Sequence, residues 1–173
     1  MNMTVTNIIL VLTATTTALI AGLFYSYSCS VVLGLGRLPD AEYIGAMQSI
    51  NRAVLNPVFF SSFFGTLVLL PLSTYLSYPH PLPVQFWLLL TATIIYLAGV
   101  FGVTVAGNIP LNNALDNFDL LNASKEVIAA QRTIFERPWN NLNIIRTIAS
   151  MLSIVLVIIA CINNGKSILT IND

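Results

Sequence analysis

Apolar residues run almost unbroken through four stretches of the chain, and polar and charged residues collect between them. The first stretch, Thr4 to Leu35, contains no charge; the others run from about Pro57 to Tyr78, Phe86 to Ala106 and Trp139 to Ile162. A helix needs about 20 apolar residues to cross about 30 Å of hydrocarbon, so each stretch is predicted to be a membrane span. Pro71 inside the second predicts a bend in that helix. Ala98, Gly102 and Ala106, four apart in the third, predict a small-residue face for close helix contact. The N-terminal MNMTVTNIIL lacks the basic region of a signal peptide, and its apolar run is too long for one, which predicts a retained span.

The connectors have their own pattern. In GRLPDAEYIGAMQSINRAVLNP, Asp40 is placed to cap a helix, and Ile44, Met47, Asn51, Val54 and Leu55 recur near a 3.6-residue period. An amphipathic helix lying at the membrane interface is expected, ending at Asn56-Pro57, where the next span begins. After Gly107 the chain is expected to turn through NIPLNN. It should then form a helix from about Ala123 to Glu136 and stop at Pro138, the start of the last span. The YPHPLPVQ link reads as an exposed turn carrying His80. The fold class is therefore all-α: a single membrane domain, residues 1–173, built as a four-helix bundle with an interfacial helix after span one and a helical loop between spans three and four.

Composition supports this and excludes other classes. Hydrophobic residues make up 56% of the 173 and charged residues 8%, with mean hydropathy +0.82, far from soluble averages. Seven basic and seven acidic side chains cancel, so no basic field points to nucleic acid. Cys29 and Cys161 lie inside apolar stretches, where cysteine is usually a packed hydrophobe; a disulfide between them is left open. One histidine cannot build a zinc, haem or triad site with them, so no metal is expected. GLGRLP lacks the strand and the Lys-Ser/Thr ending of a phosphate cradle.

Four spans put the connectors after spans one and three on one side. Arg37, Arg52, Lys125, Arg132 and Arg137, with Arg146 at the helix entrance, fall there, against Lys166 on the other. The positive-inside rule then predicts cytoplasmic connectors and outside termini. The same topology brings Asn51, Arg52 and Asn56 near Asn108, Asn112, Trp139, Asn143 and Arg146. Asn140, Asn143, Thr147 and Ser150 form a polar stripe entering the last span. An amide or guanidinium facing lipid costs several kcal/mol, roughly, so the stripe should face the bundle. Arg146 offers a planar fork of donors to an oxyanion; snorkelling, or pairing with Glu136 or Asp116, would be a purely structural use. Tyr25 or Tyr27 would face the same cavity.

The runs AGLFYSYSCSVVLGLGRLPDAEYIGAMQSINRAVLNPVFF, GNIPLNNALDNFD and ERPWNNLNIIRTIAS resemble the small four-span membrane proteins grouped with fungal anthrone oxygenases, most of them bacterial and of unknown function. The resemblance covers nearly the whole chain and implies a place in the cytoplasmic membrane of a bacterium. It implies oxidation of a tricyclic anthrone to an anthraquinone by dioxygen with no flavin or metal cofactor. On that reading Arg146 with Asn143 or Asn112 would stabilise the oxyanion, and Trp139, Tyr25 and Phe59 would stack on the rings. No histidine lies on the proposed side, which leaves Asp116, Glu136 or water as the base. The partners implied are the lipid bilayer and a lipophilic aromatic molecule, and the sequence is compatible with further copies of the chain. The competing reading is a non-catalytic module binding a lipid or quinone-like ligand, or serving a membrane complex as an accessory subunit. Transport ranks below both, because the spans hold no carboxylate and no inverted repeat.

Overall fold

A computed structural model describes residues 4–78 and 83–169, with side chains to Asn163; His80 and the Lys166 side chain lie outside the described residues. No strand occurs among the described residues. Five helices are present: α1 Val5–Leu35, α2 Asp40–Ala53, α3 Pro57–Leu76, α4 Val84–Asp116 and α5 Lys125–Leu169. All but α2 are long and apolar enough to span a membrane.

Their unequal lengths shape the molecule. At 1.5 Å per residue the 20 residues of α3 reach about 30 Å, the thickness of the hydrocarbon layer, whereas the 33 of α4 reach about 50 Å. Helices α4 and α5 therefore run well past α3 on the side of the α1–α2 connector, and α2 packs against both projections. Two cores follow. Within the bundle, Ile20, Phe24, Phe63, Leu89, Tyr96, Val100, Ala149 and Val157 interlock. Above it, Tyr43, Ile44 and Met47 of α2 pack on Leu115 of α4 and Ile128, Phe135 and Trp139 of α5. The inner face of α2 thus carries Ile44, Met47 and Asn51 as its period predicts, while Leu55 is exposed.

Three sequence expectations need correction. NIPLNN is not a turn: α4 continues through it, with π-helical turns at Tyr96–Gly102 and Thr104–Asn108 followed by an α-helical end, Ile109–Asp116. Pro110 sits at the start of that last piece, where a missing N–H costs least. Nor does Pro138 end a helix, because α5 runs through it. An interior proline costs about 3 kcal/mol. Phe135 and Trp139, which flank the exposed Pro138 and are both buried, return about 1.5–3 kcal/mol each. Finally, Pro39 and not Asp40 holds the cap position of α2; Asp40 lies in the first turn and pairs with Arg132 at 2.9 Å. Pro71 lies inside α3 without ending it.

Close contact between α4 and α5 comes from glycines other than those of the expected face. Ala98 and Ala106 are exposed, whereas a Cβ on Gly99 would lie 2.5 Å from the Ala149 Cβ and one on Gly107 2.8 Å from Leu142. Interhelical hydroxyl bonds add directionality: Thr13 to Ser73 at 2.8 Å, Thr74 to Thr93 at 3.1 Å, and the Tyr96 hydroxyl to the Phe63 carbonyl at 3.0 Å.

The headpiece is fastened by Arg132. Its guanidinium donates to the carbonyls of Leu38 and Gly36 and to Asp40 and Glu136, at 2.7–2.9 Å, and lies 4.4 Å from the Tyr43 ring centroid. Burial, helped by the Glu136 carboxylate and opposed by Arg132, pushes the Tyr43 hydroxyl well above its ordinary range, so it stays neutral. In the α4–α5 connector the Asn122 side chain holds the Asp119 carboxyl below the usual carboxylate range, opposed by desolvation and helped by the backbone amides of Asn122 and Leu121.

Candidate functional site

Where the two cores meet, a cavity of about 240 Å³ remains. Phe24 and Tyr27 of α1, Asn51 near the end of α2, Phe59 and Phe63 of α3, Thr104 and Asn108 of α4, and Trp139, Asn143 and Arg146 of α5 line it, with Asn112 at its edge. The walls are aromatic: Phe59 stacks on Phe63 at 5.3 Å, and Phe63 meets Phe101 at 6.0 Å. Few polar atoms interrupt them, and each has a traceable position.

Arg146 is 6% exposed. Its Nη2 donates to the Asn143 Oδ1 at 2.8 Å, and its guanidinium carbon sits 4.4 Å from the Phe24 ring centroid and 5.3 Å from that of Trp139. None of the ion pairs formed by described residues includes it. Asp116 pairs with Arg52, and Glu136 with Arg132, which removes the two structural partners that the sequence suggested. Asn143 in turn donates to Ser28 at 3.0 Å, Ser28 bonds Thr147 at 2.8 Å, and the Thr147 hydroxyl reaches the Phe24 carbonyl at 3.0 Å. This relay ties α5 to the π-helical turn Tyr27–Val31 of α1. Such turns are rare and leave backbone groups to be satisfied from outside the helix.

Four polar atoms around the cavity have no hydrogen-bond partner among the described residues: Arg146 Nε, Asn51 Nδ2, and both Nδ2 and Oδ1 of Asn108. A buried unsatisfied group costs about 1–3 kcal/mol, more if charged. Here the cost is concentrated in one place. The indole of Trp139 is held by a 2.8 Å bond from its Nε1 to Asn112 Oδ1, and by the Tyr27 ring at 5.8 Å.

The π-helical turns of α4 explain how Asn108 faces inward. Tyr96, Val100, Thr104 and Asn108 are all buried and strictly four apart. At 3.6 residues per turn that spacing drifts about 40° per step, which would carry Asn108 about 120° around the helix from Tyr96. Wider i→i+5 turns absorb the drift and keep the line on one face.

Of the residues singled out from sequence, Arg146, Asn112, Asn143, Asn51, Phe59, Asn108 and Trp139 line this cavity. Three others do not. Tyr25 points away and is 54% exposed, with Tyr27 taking the inward position. Arg52 is exposed and paired with Asp116. Asn56 caps α3, accepting from the amides of Val58 and Phe59 at 3.0 Å, and borders a shallower outward groove between α1 and α3. Phe24, Phe63 and Thr104 were missed. Phe24 precedes Ser28 by four residues, and Thr104 precedes Asn108 by four, so each could have been found by following a polar residue back one turn.

A four-span helical membrane protein with an aromatic cavity edged by unbonded donors of one arginine and two asparagines is the class this fold and site define. The family model described as anthrone oxygenase matches residues 58–156, and the chain belongs to that family. The match takes in α3, α4 and most of α5; Phe24, Tyr27, Ser28 and Asn51 lie ahead of it. No curated protein and no solved structure matches the chain.

Proposed function

We propose that the cavity binds a flat, lipophilic aromatic molecule bearing an acidic or carbonyl oxygen and promotes its oxidation by dioxygen. The observation that carries this reading is the set of unpaired donors, Arg146 Nε, Asn51 Nδ2 and Asn108 Nδ2, around an otherwise aromatic space. Membership of the anthrone oxygenase family points the same way. About 240 Å³ is below the roughly 300–1,000 Å³ usual for drug-sized pockets, which suits a compact rigid ring system.

The chemistry asks little of the protein. An anthrone loses a proton from its central carbon to give an anthrolate. That carbon joins dioxygen and takes up a proton as a hydroperoxide, which loses water to leave the quinone carbonyl. The Arg146 guanidinium would hold the negative oxygen of the anthrolate, and removal of one such donor typically costs about 10²–10³ in rate. Neither a carboxylate nor a histidine belongs to the lining, so the proton would leave to water. On the distribution of basic residues, the headpiece faces the cytoplasm.

That same lack of a base favours a second reading, a binder of a quinone-like ligand that performs no chemistry. Oxygen uptake with anthrone by the purified protein, beside the Arg146→Ala variant, separates the two. Accelerated uptake lost in the variant supports the oxygenase. Anthraquinone binding without accelerated uptake supports the binder, and neither effect overturns both.

A further inference from the structure

The cavity is roofed by the headpiece, and one flank of its lining reaches the outer surface of the bundle. On the headpiece side, Trp139 is bonded to Asn112 and stacks on Phe135 at 6.2 Å, which meets Tyr43 at 6.5 Å; Ile44, Met47 and Leu115 fill the space around them. On the flank, five cavity-lining side chains face outward as well: Leu55 in the α2–α3 connector, 63% exposed, Phe60 and Phe64 of α3, 38% and 47% exposed, and Val105 and Ile109 of α4, 47% and 42% exposed. Helix α3 packs closely on the first part of α4 and hardly meets its π-helical part, so the two helices diverge at this level. If α3 fills the hydrocarbon layer, Phe60 and Phe64 lie about 4.5 and 10.5 Å inside its edge, at 1.5 Å per residue from Pro57.

We propose that the ligand enters and leaves sideways from the bilayer, through the window between α3 and the π-helical part of α4, with Phe60 and Phe64 as its gate. The substrate class is thereby restricted to molecules that partition into the hydrocarbon layer, and their supply is set by their concentration in the membrane. This rests on the proposed ligand cavity. Every group at the window is apolar, while the donors that would bind an oxygen lie behind it, so a molecule crossing it sheds no contact with water at that step.

The test uses the whole protein in phosphatidylcholine vesicles, with Trp87→Phe as background so that Trp139, in the cavity, is the sole indole. Anthraquinone is the probe, and its quenching of Trp139 is followed in time while lipid is varied at fixed total probe. The association rate should follow anthraquinone per lipid. Phe60→Ala with Phe64→Ala should accelerate association and dissociation together by about fivefold, a modest lowering of one shared barrier, and Val105→Phe, which adds bulk without a second indole, should slow both. Rates that follow aqueous anthraquinone, or that ignore these substitutions while quenching persists, overturn the window and leave the cavity standing. Quenching of Trp139 by brominated acyl chains that anthraquinone does not relieve would make the cavity a lipid seat and overturn the proposal. Absence of quenching in the background protein overturns the ligand cavity, and the window with it.

Discussion

Replacing Arg146 by methionine should leave folding almost untouched while removing ligand binding, because the two depend on opposite signs of the same charge effect. The guanidinium is buried, has no ionic partner, and has an unbonded Nε. Desolvating such an ion costs several kcal/mol, roughly, even after relaxation. Against this, its place over Phe24 contributes about 2 kcal/mol and its bond to Asn143 about 1.5–3 kcal/mol. Methionine has a similar reach, removes the desolvation cost and forfeits both contributions, so the terms nearly cancel. The expected change is within about 1 kcal/mol, a shift of about 2–4 °C in the melting midpoint for a chain of this size. Ligand affinity behaves differently, because a charged hydrogen bond worth about 1.5–3 kcal/mol is lost with nothing in return. The dissociation constant of anthraquinone should rise about 10- to 150-fold at 1.4 kcal/mol per decade. Thermal unfolding in mild detergent and a Trp139 quenching titration measure the two quantities. A fall in the midpoint of more than about 10 °C, with binding affected only through unfolding, would show that Arg146 serves the fold and would refute the reasoning.

Asn108→Leu should stabilise the empty protein by about 1–3 kcal/mol, since both ends of its fully buried amide lack partners, and should abolish retention of co-purifying aromatic molecules seen by mass spectrometry. Arg132→Met should cost about 2–4 kcal/mol by thermal melting, because it releases three acceptors at the α1–α2 connector, Gly36, Leu38 and Asp40, and a fourth, Glu136, on α5 itself. Arg52→Met, which breaks an exposed pair with Asp116, should cost less than about 1 kcal/mol in the same assay. Gly99→Ala should destabilise by about 1–3 kcal/mol as its Cβ forces α4 from α5, and adding Ala149→Gly should restore most of the loss; additivity of the two changes would contradict the contact.

The spans were legible because a bilayer demands long apolar runs, and the grouping of Asn51, Asn108, Asn112, Asn143 and Arg146 was legible because four spans force the two polar connectors to one end. Helix ends were not. Pro110 and Pro138 read locally as stops, yet packing of the headpiece outweighs the local cost at Pro138, and a π-helical turn ahead of Pro110 lets the chain carry on. The π-helical turns of α4 were also invisible to a search at 3.6-residue periodicity, which read the small-residue face one position from Gly99; between Tyr25 and Tyr27, Tyr27 lies three residues from Phe24 on the inward face of α1.

A strict four-residue recurrence was nonetheless present. Tyr96, Val100, Thr104 and Asn108 alternate large, small and polar side chains at an interval that no straight α-helix keeps on one face over three steps. Widened turns in α4 and α1 lie at the level of the cavity, and in both helices they bring polar side chains, Thr104 and Asn108 in one and Ser28 in the other, towards α5. A regular α4 would turn Asn108 towards lipid, where its unpaired amide would cost more than it does in the cavity. The stored cost of the π-helical turns and the stored cost of the unpaired donors therefore belong to one arrangement. Backbone irregularity holds Asn108 inward, and its lack of a partner among the described residues leaves its amide free for a ligand.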